Sequence, residues 1–95
     1  MFEYVVDSDE LCLKVQWVDG VPFIHAEIFK WKLSLAKKYY NIWTHLLNTL
    51  AHRDVPCVFS AIPDDDPKLY KFQLMFGMRE VKRDSNTILF MQETE

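Results

Sequence analysis

Three consecutive aspartates stand in the stretch AIPDDDPKLYKF, between a strand-like segment and a short amphipathic one. Carboxylates at this density could bind Mg²⁺ or take part in acid–base chemistry. Adjacent aspartates converge on one ion only if the loop folds back, whereas an acidic side chain at a helix start satisfies free amide groups and favours the helix dipole. We therefore predict that Asp66 caps a helix with Pro67 at its first position, and that the aspartates hold no metal.

His25 and Glu27 form a second group that could do chemistry, because residues two positions apart on a strand project from the same face. A carboxylate beside an imidazole could remove a proton from an amine, directly or through water. If the strand alternates regularly, Glu27 is equally well explained as a polar side chain on an exposed face.

Four lysines form a third group in the stretch FKWKLSLAKKYY. Lys30, Lys32, Lys37 and Lys38 place positive charge around the predicted start of a helix, where Ser34 could cap the first turn. This charge could attract an anion, and it is also typical of a solvated basic end of a helix. The lysines inside the first turn oppose the helix dipole.

The cysteines and histidines do not have the spacing of a metal site. Cys12 and Cys57 stand far apart among alternating apolar residues, and neither belongs to a Cys-x-x-Cys pair. We predict that both thiols are reduced, buried in strands and not bonded to each other, and that the chain has no metal centre.

The composition excludes several classes of partner. Hydrophobic residues make up 49% of the 95 residues, which is sufficient for one packed domain over residues 1–95. The formal net charge of −3 argues against nucleic acid, which requires a basic surface that displaces counterions. No apolar run approaches the ~20 residues that span a bilayer, and no signal peptide opens the chain. We expect a soluble, cytoplasmic protein that binds neither membrane nor nucleic acid.

Hydrophobic patterns predict the element order β-β-β-α-β-α-β-β. The first strand is Phe2–Asp7. The stretch LCLKVQWVDGVPFIHAEIF predicts a hairpin that continues through Phe29, and its Asp19-Gly20 turn requires positive φ at both residues. A helix follows from about Leu35 to His52, with apolar residues at helical spacing: Tyr39, Trp43, Leu46, Leu47 and Leu50.

The second half of the chain predicts a strand, a short helix and a closing pair of strands. The segment VPCVFSAI is almost wholly apolar, which is typical of a central strand buried on both faces. Pro63 ends this strand, and the helix after Asp66 ends at Gly77, where a left-handed conformation is wanted. The segments MREVKR and TILFMQ form the last two strands. The prediction is an α+β (mixed α/β) fold with helices packed on a twisted mixed sheet.

This succession resembles the GNAT superfamily of N-acetyltransferases, where a buried strand leads through a Pro-x-Asn pattern to a helix ending Tyr-x-x-x-Gly-Phe. In IPDDDPKLYKFQLMFGM, Asp66 stands at the asparagine position and Gly77-Met78 at the position of Gly-Phe. The resemblance covers nearly the whole chain, and small phage-encoded versions look most similar. It implies a GNAT-like sheet, truncated at the N-terminus, with a V-shaped splay between two central strands that receives the pantetheine arm of acetyl-CoA.

The chain departs from this family at the cofactor loop. The family's Gln/Arg-x-x-Gly-x-Gly/Ala turn lets backbone amides close on the pyrophosphate. The corresponding stretch FKWKLSLAKKYY has no glycine, so its side chains would crowd a phosphate bound at this loop. If acetyl-CoA binds, the resemblance leaves a reduced set of candidate residues: Lys30, Ser34, Lys37, Lys38 and Asp66.

Two further departures concern catalysis. The family's tyrosine that protonates the departing thiolate is replaced by Gln73, and Tyr70, one turn earlier, is either a substitute or a packing residue. The family's first strand and two following helices, which shape the acceptor pocket, are absent or reduced to Phe2–Asp7. Glu27, with His25 beside it, remains as the candidate base.

Two functions stay open. We favour a non-catalytic protein-binding or assembly module that needs no cofactor, with a protein partner or a homo-oligomer, in the host cytoplasm or the virion if the chain is phage-encoded. Its support is a set of aromatic residues that two short helices cannot easily hide: Trp31, Tyr39, Tyr40, Trp43, Phe72 and Phe76. The alternative is a minimal acetyl-CoA-dependent N-acetyltransferase.

Overall fold

The computed structural model describes residues 2–95, with the side chains of all of these except residues 2 and 4. The element order predicted from the sequence is confirmed, with one additional 3-10 turn at Leu33–Leu35. The strands are β1 (Phe2–Asp7), β2 (Leu11–Val18), β3 (Val21–Ile28), β4 (Cys57–Pro63), β5 (Arg79–Arg83) and β6 (Thr87–Glu93). The helices are α1 (Ala36–His52) and α2 (Pro67–Met75), neither long and apolar enough to cross a membrane.

The six strands form one mixed sheet in the order β1-β2-β3-β4-β6-β5. All neighbouring pairs are antiparallel except β3 and β4, which are parallel. Strands β2 and β3 are in register from Leu11–Ile28 to Val18–Val21, whereas β3 and β4 are opposed at Phe23 and Phe59 alone. Beyond that pair, toward their C-terminal ends, the two central strands separate, and a cavity lies between them. The predicted mixed α+β class is confirmed.

Both helices pack on the same face of the sheet. Trp43 of α1 donates from Nε1 to Gln92 Oε1 (2.9 Å), and the Tyr70 ring of α2 lies edge-on to Phe90, with 5.4 Å between ring centroids. Trp43 of α1 also stacks on Phe76, the residue that caps the C-terminal end of α2. The core is continuous between the two layers and includes Leu11, Leu13, Val15, Ile24, Val58, Ile62, Ile88 and Phe90 from the sheet.

The predicted turns are confirmed. Asp19 and Gly20 join β2 to β3 with φ of +51° and +78°, the positive values that a tight hairpin of this kind requires. Asp66 Oδ1 accepts a hydrogen bond from Leu69 N (3.0 Å), so Asp66 caps α2 as predicted. Gly77 follows Phe76, the C-cap of that helix, and has a φ of +92°.

Three predictions about packing are wrong. Ser34 does not cap α1; it lies inside the 3-10 turn, and α1 begins after Leu35 without a side-chain cap. Strand β4 is buried on one face only, because both helices lie on the side of Val58 and Ile62. The helices also hide most of the aromatic set, since four of its six members are buried and only Trp31 and Tyr40 are exposed: Tyr39, Trp43, Phe72 and Phe76 are the buried four.

Cys12 and Cys57 are free thiols and are half-buried rather than buried. Cys12 is opposite Glu27 near the end of β3, whereas Cys57 lies two residues before Phe59, at the level of the start of β3. These levels differ by six residues of strand, or about 20 Å at the usual rise. A disulfide needs Cα atoms within about 7 Å, so the sheet holds the two thiols apart.

Candidate functional site

A cleft opens where β3 and β4 separate. Two adjoining cavities of about 250 and 290 Å³ share the side chains of Ala26, Glu27 and Leu69. The smaller cavity lies between the two strands and includes Ser60 and Pro63 of β4, and the larger one continues between β3 and the start of α2. The cleft exists because parallel strands that are opposed at one pair leave a gap beyond it.

Three of the predicted catalytic residues meet at this cleft. Alternation along β3 brings His25 and Glu27 to one side, and Gln73 of α2, which is 5% exposed, lines the same cavity from the helix layer. Glu27 also lines the larger cavity, together with the capping residue Asp66. Glu27, His25 and Gln73 therefore line one cavity, and their catalytic role stays a prediction.

Tyr70, the predicted substitute acid, lines neither of these two cavities. Its ring packs on Phe90, and its hydroxyl donates to Glu80 Oε1 (3.3 Å) of β5. Arg83 also donates to Glu80 (2.7 Å), and this hydrogen bond is the largest of the effects that lower the pKa of the Glu80 carboxyl. Tyr70 thus acts as a packing residue, the other interpretation that its spacing allowed.

His25 contacts the neighbouring strand β2. Its Nε2 donates to Gln16 Oε1 (2.8 Å), and its register partner is Lys14. Burial, followed by the charge of Lys14, lowers the pKa of His25 below its ordinary value of 6.5. The imidazole is therefore neutral near pH 7, which is the form in which a histidine accepts a proton.

Two of the four lysines predicted to attract an anion, Lys30 and Lys38, pair with acids that no sequence pattern connects with them. Lys38 Nζ lies 2.8 Å from Glu10 Oε1, and this hydrogen bond is the largest of the effects that raise the pKa of Lys38. Lys30 Nζ lies 3.5 Å from Asp9 Oδ2. Lys30, Ser34, Lys37 and Lys38 line neither cavity, so they do not join Asp66 in one site.

The segment between β3 and α1 is also held by its backbone and its aromatic rings. The amides of Phe29 (2.8 Å) and Lys30 (3.2 Å) both donate to the carbonyl of Glu10, and Tyr39 donates its hydroxyl proton to the carbonyl of Lys30 (2.6 Å). Trp31 packs edge-on against Phe72 of α2, with 4.8 Å between centroids. The backbone amides of Phe29 and Lys30 are therefore not free to bind a phosphate, and the Trp31 ring packs beside them.

The side of the sheet opposite both helices is a second feature of functional interest, which we call the open face. Among the described residues, no helix covers it. Its central part is an apolar group that lies outside the core: Phe23, Cys57, Phe59, Leu89 and Met91. The Phe23 and Phe59 rings are 5.8 Å apart and half-buried, and Met91 is opposite Phe59 on β6. In the sequence, the stretch VPCVFSAI indicated this surface, because it is apolar on both faces of the strand.

Charged residues of both signs surround that apolar group. The positively charged residues of the open face are Lys14, Arg79 and Lys82. Each is opposite a residue of β3 or β6 whose side chain lies on that face. The acids of the open face are Asp7, Glu27 and Glu93. Arg79 donates to Glu93 Oε1 (3.5 Å), so part of this charge is paired within the chain.

The fold and the cleft define a small two-layer α+β domain with a gap between diverging parallel strands. Within residues 2–95, no group of three His, Cys, Asp or Glu side chains is arranged to hold a metal ion. No protein-family model and no curated protein matches this chain.

Proposed function

We propose that this chain is a divergent acetyltransferase-like domain that works as a non-catalytic protein-binding module. The observation that carries the proposal is the apolar centre of the open face. A solvated sheet normally alternates apolar and polar residues, with its polar side outward. Here Phe23, Phe59 and Met91 form an apolar row on the outer side of three adjacent strands, and such a surface marks a site of protein contact.

The sheet supports the family resemblance. The GNAT fold implies a V-shaped splay between two central strands, and the cleft lies where the parallel strands β3 and β4 separate. The family's extra N-terminal strand and helices have no equivalent among residues 2–95, and the open face is a side of the sheet that such elements could cover.

The segment between β3 and α1 supports a role without catalysis. Catalysis in this family needs backbone amides that are free to hold pyrophosphate and a proton donor near the thiolate. The Phe29 and Lys30 amides donate to Glu10, and the position of the donor holds Gln73, which cannot supply a proton. In a phage-encoded setting, the function of such a domain would be assembly of a virion or of a host-directed complex.

Site-specific photo-crosslinking tests this proposal. A photoreactive phenylalanine analogue at Phe59 probes the open face, and the same analogue at Tyr40, an exposed aromatic on α1, is the matched control. In cells of the organism that encodes the chain, we expect a covalent adduct with a polypeptide from position 59 and none from position 40. Adducts from neither position, or from position 40 alone, would contradict the proposal.

A minimal N-acetyltransferase is the second candidate, and the cleft is the observation that favours it. Glu27 lines both cavities, where it could take a proton from an amine through water. If turnover exists, Glu27→Gln should abolish it and Gln73→Tyr should raise it, because tyrosine restores a donor at the cleft. Acetyl transfer from acetyl-CoA to a panel of amines and peptides measures both effects.

A further inference from the structure

We infer that the partner of the open face is a second copy of this chain, bound sheet against sheet. The inference rests on the proposed function and specifies its partner. In this dimer, the two copies form a shared apolar layer from Phe23, Phe59, Leu89 and Met91 of each chain. Each sheet is then covered by its own helices on one face and by the partner sheet on the opposite face.

The first support is the apolar character of the central strands on both of their faces. In β4, the inner residues Val58 and Ile62 are 0% and 3% exposed, while the outer residue Phe59 stands outside the core although it is equally apolar. Strand β6 repeats this with Phe90 inside and Met91 outside. A sheet whose middle strands are apolar on both faces is typical of a sheet covered on both sides. In sheet-on-sheet packing, the inner faces interdigitate about 10 Å apart.

The second support is the charge of the open face. Three cationic residues (Lys14, Arg79, Lys82) and three anionic residues (Asp7, Glu27, Glu93) give it a net charge of 3 − 3 = 0. The whole chain carries −3, so two copies repel each other weakly wherever acidic surfaces meet. The balanced face is a surface on which identical chains can approach without that repulsion. A strongly charged partner, by contrast, would select a face of the opposite sign.

The third support is size. Six strands about 4.8 Å apart, each of about seven residues with a rise of ~3.3 Å, give a face of ~700 Å² in projection. Protruding side chains make the accessible area larger than this projection. Stable interfaces bury about 800 Å² on each partner, so the open face alone is large enough for a specific dimer.

Sedimentation over a dilution series tests the inference on the full chain. The wild type should sediment with twice the 11.3 kDa mass of the chain at the upper end of the series. Phe59→Lys places a charge at the centre of the apolar row and should raise the dissociation constant more than tenfold, because a charge in a dry interface loses its hydration. Phe59 lies outside the core, so this variant should keep the fold, which circular dichroism checks.

Leu33→Lys is the matched control, since Leu33 is 86% exposed in the 3-10 turn before α1 and gains the same charge. It should leave the dimer intact. Oxidation of Met91 by dilute peroxide gives a second readout: its rate should fall as wild-type concentration rises and stay constant for Phe59→Lys. A wild type that is monomeric throughout, with a concentration-independent Met91 rate, overturns the inference.

Crosslinking separates this inference from the function on which it rests. An adduct from position 59 with the mass of two chains supports the dimer. An adduct with a different polypeptide overturns the second copy as the occupant and leaves the protein-binding function standing. Absence of any adduct contradicts both.

Discussion

Gly77 combines a positive φ, which glycine adopts without strain, with a close neighbour. Its φ is +92°, and a Cβ at this position would lie 3.0 Å from Gln92 Nε2. Gln92 accepts the indole hydrogen bond of Trp43, so a side chain here disturbs the contact between α1 and β6. We expect Gly77→Ala to cost about 1–3 kcal/mol for the backbone and about 1 kcal/mol more through the hydrogen bond. Urea denaturation measures this cost.

Gly20→Ala is the control for that prediction. Gly20 also has positive φ (+78°), and a Cβ there meets nothing within 4 Å. Alanine at this position therefore introduces the backbone strain without the crowding. Equal losses of unfolding free energy at the two positions would show that the Gln92 contact contributes nothing.

His25 should make stability depend on pH. Its folded-state pKa is lowered, first by burial and then by Lys14, so between that value and 6.5 the unfolded chain binds more protons than the folded one. The stabilisation is present above pH 6.5 and is lost as the pH falls through the folded-state pKa. The free-energy difference between wild type and His25→Gln should therefore decrease from about pH 7.5 to about pH 5. A difference that is constant or grows on acidification would contradict the assignment.

At the scale of elements, the start of α2 depends on one aspartate of three. Asp66 Oδ1 accepts from Leu69 N, whereas Asp65 is exposed and takes part in none of the side-chain hydrogen bonds found among residues 2–95. We expect Asp66→Ala to cost ~1 kcal/mol of unfolding free energy, as is usual for a lost cap. Asp65→Ala is the control and should change stability by less than about 0.5 kcal/mol. Equal effects in thermal melts would mean that the acids act through charge alone.

The β3–α1 segment shows how far spacing predicts an element. Helix α1 and its buried stripe were predicted within one residue because a 3.6-residue pattern is local. The cap at the start of the helix was predicted wrongly. Ser34 has the residue type of a cap, yet it lies inside the 3-10 turn. Lys30 and Lys38 pair with Asp9 and Glu10, which belong to a turn that is distant in sequence. Pairing of this kind depends on which loops the sheet brings together.

At the scale of the whole molecule, we expect weak binding of acetyl-CoA. The Phe29 and Lys30 amides donate to Glu10, and the Lys30 and Lys38 side chains pair with Asp9 and Glu10. Because these groups are not free to hold a pyrophosphate, the Kd should be no lower than ~100 μM, or about 5.5 kcal/mol of binding free energy. At about 0.1 mM ligand, the stabilisation should then stay below ~0.4 kcal/mol. Titration calorimetry measures the affinity directly. Stoichiometric, tight binding of acetyl-CoA would make N-acetyltransferase activity the favoured function.

The sequence by itself determined the element order, the Asp19-Gly20 hairpin, the caps at Asp66 and Gly77 and the core stripe of α1. Each follows from φ preference, capping or periodicity within a few residues of chain. Only the tertiary structure decided that both helices lie on one face, that β3 and β4 diverge to bring Glu27 and Gln73 to one cleft, and that the apolar outer side of β4 stays open. A strand's pattern shows that both its faces are apolar, but what covers each face depends on the path of distant elements, which no local preference encodes.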